Sequence, residues 1–424
     1  MFKFALSTFG AKITTSILNF ILLVLISRYM GAAAVGEISM ILLTVAIVVM
    51  ASFLFGGSAL VYLTPRYPIL PLMIISYIWS FIVSAIAYIV LLNINVIEHS
   101  FIFHVVFLSF IASLFSAHFN LLLGKEKIHK VNLFNVLNVT TILLVFLLFT
   151  FINNKYSIWA YIYGMYISYG IIYLWSLIDV FKFIKSIKIK NIGHLIKDLS
   201  NYGIVLQLSN IALLFNYRGG YYFVEHFYSK ASLGIYSVAN QLSEASWMIS
   251  RSFATVLYAR VSNLVDDKEY KKTKYYVLSF FKIVFLVTMA IVIVLLVLPS
   301  GFYKFVFGSE FGGIKNVIWA LSPGILLLSV SRILGVFFSG TGRAWHFGLG
   351  TFISLALLIG LLIWWVPLYG IIGAAWATSV SYVSLFSYYL ILFIHYTHSS
   401  IKDFIVNRSD FDLFVSETKK IFKK

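Results

Sequence analysis

Twelve apolar runs divide this chain, at about 10–30, 38–63, 69–92, 101–123, 131–152, 157–181, 199–224, 232–258, 275–298, 316–339, 344–366 and 369–396. A helix needs roughly 20 apolar residues to cross a hydrocarbon core about 30 Å thick. The pattern therefore predicts an all-α polytopic membrane protein with about twelve transmembrane helices. With 61% hydrophobic and 11% charged residues and a mean hydropathy of +0.95, a soluble globular domain of this length is excluded.

Charge fixes the expected orientation. With the amino terminus placed in the cytoplasm, 24 of the 32 Lys and Arg fall in cytoplasmic segments and five in external ones, namely Arg28, Lys155, Lys230, Lys304 and Lys315. Basic residues accumulate on the cytoplasmic side of membrane proteins, so both termini are expected there. The net charge of +17 is then a topology signal, suited to anionic membrane lipids rather than to nucleic acid. The chain has no cysteine, which excludes disulfides and thiolate chemistry. The first apolar run lacks a small-residue cleavage site after it and is expected to be retained as a span.

Lys182, Lys185, Lys188, Lys190 and Lys197 separate run six from run seven. The expected organisation is an N-terminal six-helix half over 1–181, a basic cytoplasmic linker over 182–198, a C-terminal six-helix half over 199–396 and a cytoplasmic tail over 397–424. A faint repeat agrees with it. Ala33, Gly36 and Ser39 enter run two as Ala231, Gly234 and Ser237 enter run eight, and Gly124-Lys125 before run five echoes Gly342-Arg343 before run eleven. Two halves in parallel orientation are a transporter architecture, with a central substrate cavity expected between them. The external loop at 299–315, rich in Phe and Tyr, is expected to lie on the membrane surface.

Charge at the bilayer centre is costly and marks function. Run seven carries Gln207, Asn210 and Arg218 on one helical face; run eight carries Asn240, Glu244, Trp247 and Arg251; run ten adds Arg332; run one carries Lys12, Ser16 and Asn19, with Arg28 at its outer end. Glu244 is placed to pair with either Arg218 or Arg251. Three arginines against one acid give the spans a positive surplus, and the planar guanidinium fork suits phosphate. The candidate substrate site is thus Arg218, Arg251, Arg332, Glu244, Gln207, Asn210, Asn240, Asn19 and Arg28. Asn132, Asn135 and Asn138 of run five read as helix–helix hydrogen-bonding groups, and His104 and His118, four turns apart, as hydrogen-bonded interior residues rather than metal ligands. Enzyme signatures such as GxxxxGK[ST], HExxH and GxSxG are missing from the sequence, so a transporter needing neither cofactor nor metal is expected. The acidic pair Asp266-Asp267 sits in a solvated charge run.

Residues 202–262, with Asn216-Tyr217-Arg218, Leu233-Gly234-Ile235-Tyr236-Ser237-Val238-Ala239, Leu242-Ser243-Glu244 and Trp247, resemble the corresponding region of O-antigen flippases of the Wzx type. These belong to the multidrug/oligosaccharidyl-lipid/polysaccharide exporter superfamily. Arg28-Tyr29-Met30-Gly31 with Gly36, and Leu368 through Ser379, are similar to the family's first and last spans. The resemblance covers essentially the whole chain. It implies a flippase that moves undecaprenyl-diphosphate-linked oligosaccharide repeat units across a bacterial inner membrane by alternating access, alongside a glycan polymerase and a chain-length regulator. An ion-coupled drug or metabolite exporter of the same superfamily is the alternative; its cationic substrates call for acid-rich cavities. Many members carry an acid just after the arginine of run seven. Here Gly219 and Gly220 follow Arg218, which leaves Glu244 as the candidate counter-ion.

Overall fold

The computed structural model describes residues 2–94, 96–153, 156–184, 192–266 and 269–405. Residues 185–191 of the basic linker, with Lys185, Lys188 and Lys190, the tail from 406, and Asp267-Lys268 lie outside the described residues. The regular elements within them are all helical: α1 (Phe2–Gly56), α2 (Ser58–Leu63), α3 (Ile69–Asn93), α4 (His99–Gly124), α5 (Ile128–Asn153), α6 (Ile158–Phe181), α7 (Ile192–Phe227), α8 (Lys230–Ala245), α9 (Trp247–Asp266), α10 (Tyr270–Val297), α11 (Ser300–Phe307), α12 (Ile314–Gly340) and α13 (Ala344–Thr397), with 3₁₀ turns at Ser309–Gly313 and Ile401–Phe404. In lipid every backbone group must be satisfied within its own segment, and helices do this.

Eight stretches of the described residues are long and apolar enough to span a membrane. Two of them, Gly10–Leu63 and Trp345–Thr397, run to 54 and 53 residues. At 1.5 Å per residue each is about 80 Å long, more than twice a bilayer core, so each holds two of the expected spans. The joins are Gly31, at φ 80°, and Gly370, at φ 61°. Glycine takes positive φ without the steric cost other residues meet, so helical hydrogen bonding resumes directly after the bend. Gly370 is also crowded: a Cβ there would lie 3.1 Å from the Tyr228 ring. Among the described helices, α7, α8, α9 and the short α11 lie outside the eight, and the first three carry Arg218, Glu244 and Arg251.

Run eight, expected as one span, is two helices. At the break the Ser246 N–H and hydroxyl both donate to the Ser243 carbonyl, at 3.2 and 2.6 Å, and the Ser250 hydroxyl donates to Trp247 O at 2.9 Å. Serine hydroxyls compete for helix carbonyls and tighten or bend the turn.

The chain divides into two compact units. One comprises Met1–Ile211 with Val306–Gly308; the other comprises Ala212–Phe305 and Ser309 onward, so the boundary falls inside α7. In the N-terminal unit α4 packs on α1, α3 and α6, and α5 packs on α1 and α6. Buried Ser109, Ala112, Ser113 and Ala117 recur every three to four residues on α4, and small residues let helices approach closely. Its polar interior is hydrogen-bonded. His118 Nε2 meets Tyr77 Oη at 2.6 Å and Nδ1 meets Ser176 Oγ at 2.7 Å, while His104 Nδ1 meets Tyr166 Oη at 2.9 Å. Asn132 donates to Thr8 and Asn138 accepts from Ser168, whereas Asn135 is exposed.

In the C-terminal unit α12 packs on α8, α9, α10 and α13. Of its apolar window 72% is buried, against 22% for α13; α12 is the central helix, which is why Arg332 on it faces protein. The helix is opened at Pro323. Proline has no N–H for the Trp319 carbonyl, which accepts from the Ser322 hydroxyl instead, at 2.9 Å. One residue on, Ser379 Oγ from α13 accepts from Gly324 N–H at 3.2 Å and donates to Ala320 O at 2.5 Å. A side-chain hydroxyl thus occupies a rung of the main-chain ladder, a known cause of helix bending. Along 299–315, Phe302 and Phe305 are exposed and Tyr303 and Phe311 are buried, the two faces an interfacial segment requires.

Candidate functional site

The site begins with α7, where Asn216 is a hub. Its side-chain amide donates to the carbonyls of Ala212 (3.1 Å) and Thr351 (3.0 Å), and its Oδ1 accepts from Ser354 (3.0 Å) and Ser381 (3.2 Å). This buried network fixes the rotation of α7 against both arms of α13 and aims the next two residues, Tyr217 and Arg218, away from it. Gly220 admits the Tyr236 ring of α8, since a Cβ there would lie 2.8 Å from the Tyr236 hydroxyl. Tyr236 Oη in turn meets Thr378 Oγ1 at 3.0 Å.

Arg218 reaches Glu244 at the end of α8 with both ends of its fork. Nη1 lies 2.6 Å from Oε1, and Nη2 donates to Oε2 at 2.9 Å. Nη1 also donates to the Tyr221 hydroxyl at 2.9 Å. Of the two arginines the sequence offers Glu244, the structure pairs it with Arg218. One of the two contacts, Nη2 to Oε2, is a hydrogen bond, and the Oε1 contact is an ion-pair distance without one; the attraction offsets part of the desolvation of the two charges.

Arg332 has no such acid. Its guanidinium stands over the rings of Trp247 and Tyr217, with Cζ 4.9 and 5.5 Å from their centroids, and Nη2 donates to the Tyr217 hydroxyl at 2.8 Å. Tyr217, Trp247 and Tyr382 contact one another with centroids 5.1 to 6.3 Å apart. Cation–π contact stabilises a desolvated guanidinium without neutralising it. Two buried donors in this group, Arg332 Nε and Trp247 Nε1, have no hydrogen-bond partner. Each unmet buried donor costs about 1–3 kcal/mol.

Arg251, five residues beyond the Ser246 break, is exposed and within electrostatic reach of Arg332, Tyr217, Glu244 and Arg218. Among the described residues its side chain makes no ion pair. With Arg218 and Glu244 cancelling, Arg251 and Arg332 leave this cluster two positive charges in excess.

The remaining candidates lie elsewhere. Asn240, buried one turn before Glu244, donates to the Tyr236 carbonyl at 3.1 Å. Gln207, Asn210, Asn19 and Arg28 belong to the N-terminal unit. There Gln207 is buried and donates to the Met50 carbonyl, Asn210 is half-buried, and Asn19 and Arg28 are exposed. Asn216 and Ser379 stand in the stretches that carry the family resemblance but are not among the site residues expected from the sequence, and Tyr382 has no sequence signal beyond the polar run Thr378-Ser379-Val380-Ser381 before it. Lys282 of α10 is a further buried cation within a span, at 7% exposure.

This arrangement of helices is shared with known transporters. The inward closed conformation of the lipid II flippase MurJ superposes with a TM-score of 0.71 over 93% of this chain and 88% of that one, at 18% identity. An inward-facing multidrug resistance MATE family transporter of the MOP superfamily gives 0.70 over 93% and 99%, at 13% identity. The fold is the one these transporters share, and its long apolar helices make the chain a multi-pass membrane protein. Its sequence matches the family described as "Polysaccharide biosynthesis protein" over residues 69–316, more than half its length, and the chain belongs to that family. A curated relative, the probable low-salt glycan biosynthesis flippase Agl15 of Haloferax volcanii, is 23% identical over 258 residues. That match covers 59% of this chain and about half, 52%, of the relative.

Proposed function

We propose that the protein is a flippase that carries undecaprenyl-diphosphate-linked oligosaccharide repeat units from the cytoplasmic to the periplasmic leaflet of a bacterial inner membrane. The product serves O-antigen or another surface polysaccharide, with a glycan polymerase and a chain-length regulator acting downstream. The observation that carries this reading is the uncompensated pair Arg251 and Arg332, set among apolar helices beside a closed Arg218–Glu244 pair. Phosphates in diester linkage each carry about one negative charge, so a diphosphate joining lipid to sugar matches the cluster's excess. Membership in a polysaccharide biosynthesis family supports a glycan cargo, and the MOP-type fold supports translocation by alternating access.

In this reading Arg332 and Arg251 hold the diphosphate, Arg218 and Glu244 set the shape of the cluster, and Asn240 with the tyrosine faces lies where sugar hydroxyls are accepted. The MATE-like fold also fits an exporter of organic cations, but two uncompensated arginines repel that cargo.

The test uses cells lacking this protein but retaining the rest of the glycan pathway. Carrier lipid is extracted and the leaflet that holds each intermediate is determined. Single repeat units stranded on the cytoplasmic leaflet, and cleared on re-expression, are expected. Intermediates that reach the periplasmic leaflet normally remove the flippase reading and favour the exporter.

A further inference from the structure

The aromatic group around Arg332 holds a feature that charge balance does not explain. Trp247 is 2% exposed, yet its indole N–H has no acceptor, and neither does the Nε–H of Arg332. Both belong to one contact, since the Arg332 guanidinium lies over the Trp247 ring at 4.9 Å. Buried donors almost always find partners, and two unmet donors in a single contact point to an absent acceptor. The hydroxyls of the two contacting tyrosines are engaged, and the nearby Ser243 Oγ and Glu244 Oε1, though without hydrogen bonds of their own, do not reach either donor. The Tyr217 hydroxyl takes Arg332 Nη2, and the Tyr382 hydroxyl donates to the Asn216 carbonyl at 3.4 Å. Glu244 is ion-paired with Arg218, its Oε2 accepting from Nη2 and its Oε1 lying 2.6 Å from Nη1. The missing group must offer more than one acceptor oxygen and carry negative charge, because the cation beside it has no acid.

We infer that Trp247 and Arg332 form a two-donor phosphoryl clamp, in which Trp247 Nε1–H and Arg332 Nε–H donate to phosphoryl oxygens of the substrate. Trp247 is then a specificity-determining residue, a role distinct from filling space. This rests on the lipid-linked diphosphate reading above. In this structure both donors are buried, and the Tyr217 hydroxyl takes Arg332 Nη2. Trp247 is the first residue after the Ser246 break, where the α8 ladder gives way to three-residue hydrogen bonds. Rotation of α9 about that joint withdraws the indole and uncovers both donors together. Arg251, on the same helix, supplies the second positive charge.

The test uses the full chain in lipid nanodiscs, with farnesyl diphosphate and inorganic diphosphate as probes. The readouts are affinity and the ¹⁵N-indole resonance of Trp247, assigned by its loss in Trp247→Phe. That variant keeps an aromatic face for Arg332 and removes the indole donor together with the volume of its five-membered ring. Arg332→Lys keeps a cation and removes Nε–H, so it tests the clamp independently if Trp247→Phe alters folding. Farnesyl diphosphate is expected to move the Trp247 resonance, and each variant is expected to bind it ~10-fold more weakly, the loss of about one charge-assisted hydrogen bond. An unmoved resonance with wild-type affinity in Trp247→Phe overturns the clamp while leaving the flippase reading intact. A wild-type protein that binds neither probe overturns the diphosphate reading and the clamp with it. Equal dependence on Trp247 for both probes upholds the clamp and assigns its ligand to a free anion rather than a lipid headgroup.

Discussion

Arg218 and Glu244 face each other two points to two, Nη1 at 2.6 Å from Oε1 and Nη2 at 2.9 Å from Oε2, across the gap between α7 and α8. Breaking such a pair strands one charge in an apolar setting. Removal of one partner from a buried pair costs about 3–5 kcal/mol. Here both side chains keep about a quarter of their exposure, which places the cost near the lower figure. Glu244→Gln and Arg218→Gln are each expected to lower the melting temperature of the purified protein, and the double variant to recover much of the loss. A double-mutant cycle measures this; simple additivity shows that the pair does not interact.

The hydroxyl of Ser379 in the α12 ladder makes a second prediction. Ser379→Ala removes the bridge and lets Gly324 N–H return to its own helix's Ala320 carbonyl, straightening the segment. Slower hydrogen exchange at Gly324 and in the turn after it is the expected result. Gly324→Ala has the opposite sign, since its Cβ would lie 2.8 Å from the Ser379 hydroxyl. Overpacking of this kind costs about 1–3 kcal/mol. Unchanged exchange in Ser379→Ala shows that Pro323 alone sets the bend.

These two contacts mark where the sequence stops being legible. Lipid imposes a length and an apolarity on every span, so the all-helical fold could be read directly from the runs. The joints could not. Gly31 and Gly370 sit in stretches that read as short loops, yet positive φ at one residue suffices to turn the chain. Ser246 lies inside a run of span length that already carries polar residues, and one more serine there signals nothing by itself. Helical spacing placed Glu244 and Arg251 on one face of run eight. Periodicity within one helix, however, carries no information about the facing helix, so the choice between Arg218 and Arg251 waited for the packing of α7 on α8. Tyr382 joined the Arg332 group for the same reason.

The C-terminal turn gives a prediction in pH. Asp403 accepts from the Ser400 N–H at 3.1 Å and lies 2.9 Å from Lys274 Nζ on α10. The Lys274 hydrogen bond, then that of the Ser400 backbone, holds the carboxyl below its ordinary value. A depressed acid contributes stability above its unfolded pKa and loses it as pH falls through the folded one. The turn at Ile401–Phe404 is therefore expected to stay docked from neutral pH down to about 4 and to loosen below that. Phe404 against Phe281 and Phe393 retains part of the contact. Limited proteolysis across pH 3 to 7 reads this, with Asp403→Asn as the control. Cleavage in the wild type should approach that of the variant only at the acid end; equal cleavage at all pH values dissociates Asp403 from the docking.

Arg251 and Arg332 are expected to separate stability from transport. Arg251 makes no ion pair among the described residues and is exposed, so Arg251→Ala should leave the melting temperature within about 0.5 kcal/mol of wild type in stability terms. Arg332 is held by the Tyr217 hydroxyl and two ring faces, so Arg332→Ala removes packing as well as charge and should lower stability by about 1–3 kcal/mol. In export both should fail alike, because each takes away half of the charge that meets the diphosphate. Arg251→Lys should recover export substantially, since a flexible cation can still reach a phosphate. Arg332→Lys should recover less, because a lysine cannot match the planar fork over the rings. Surface glycan measured at matched expression decides the point. Normal export in Arg251→Ala removes Arg251 from the mechanism and leaves Arg332 to act alone.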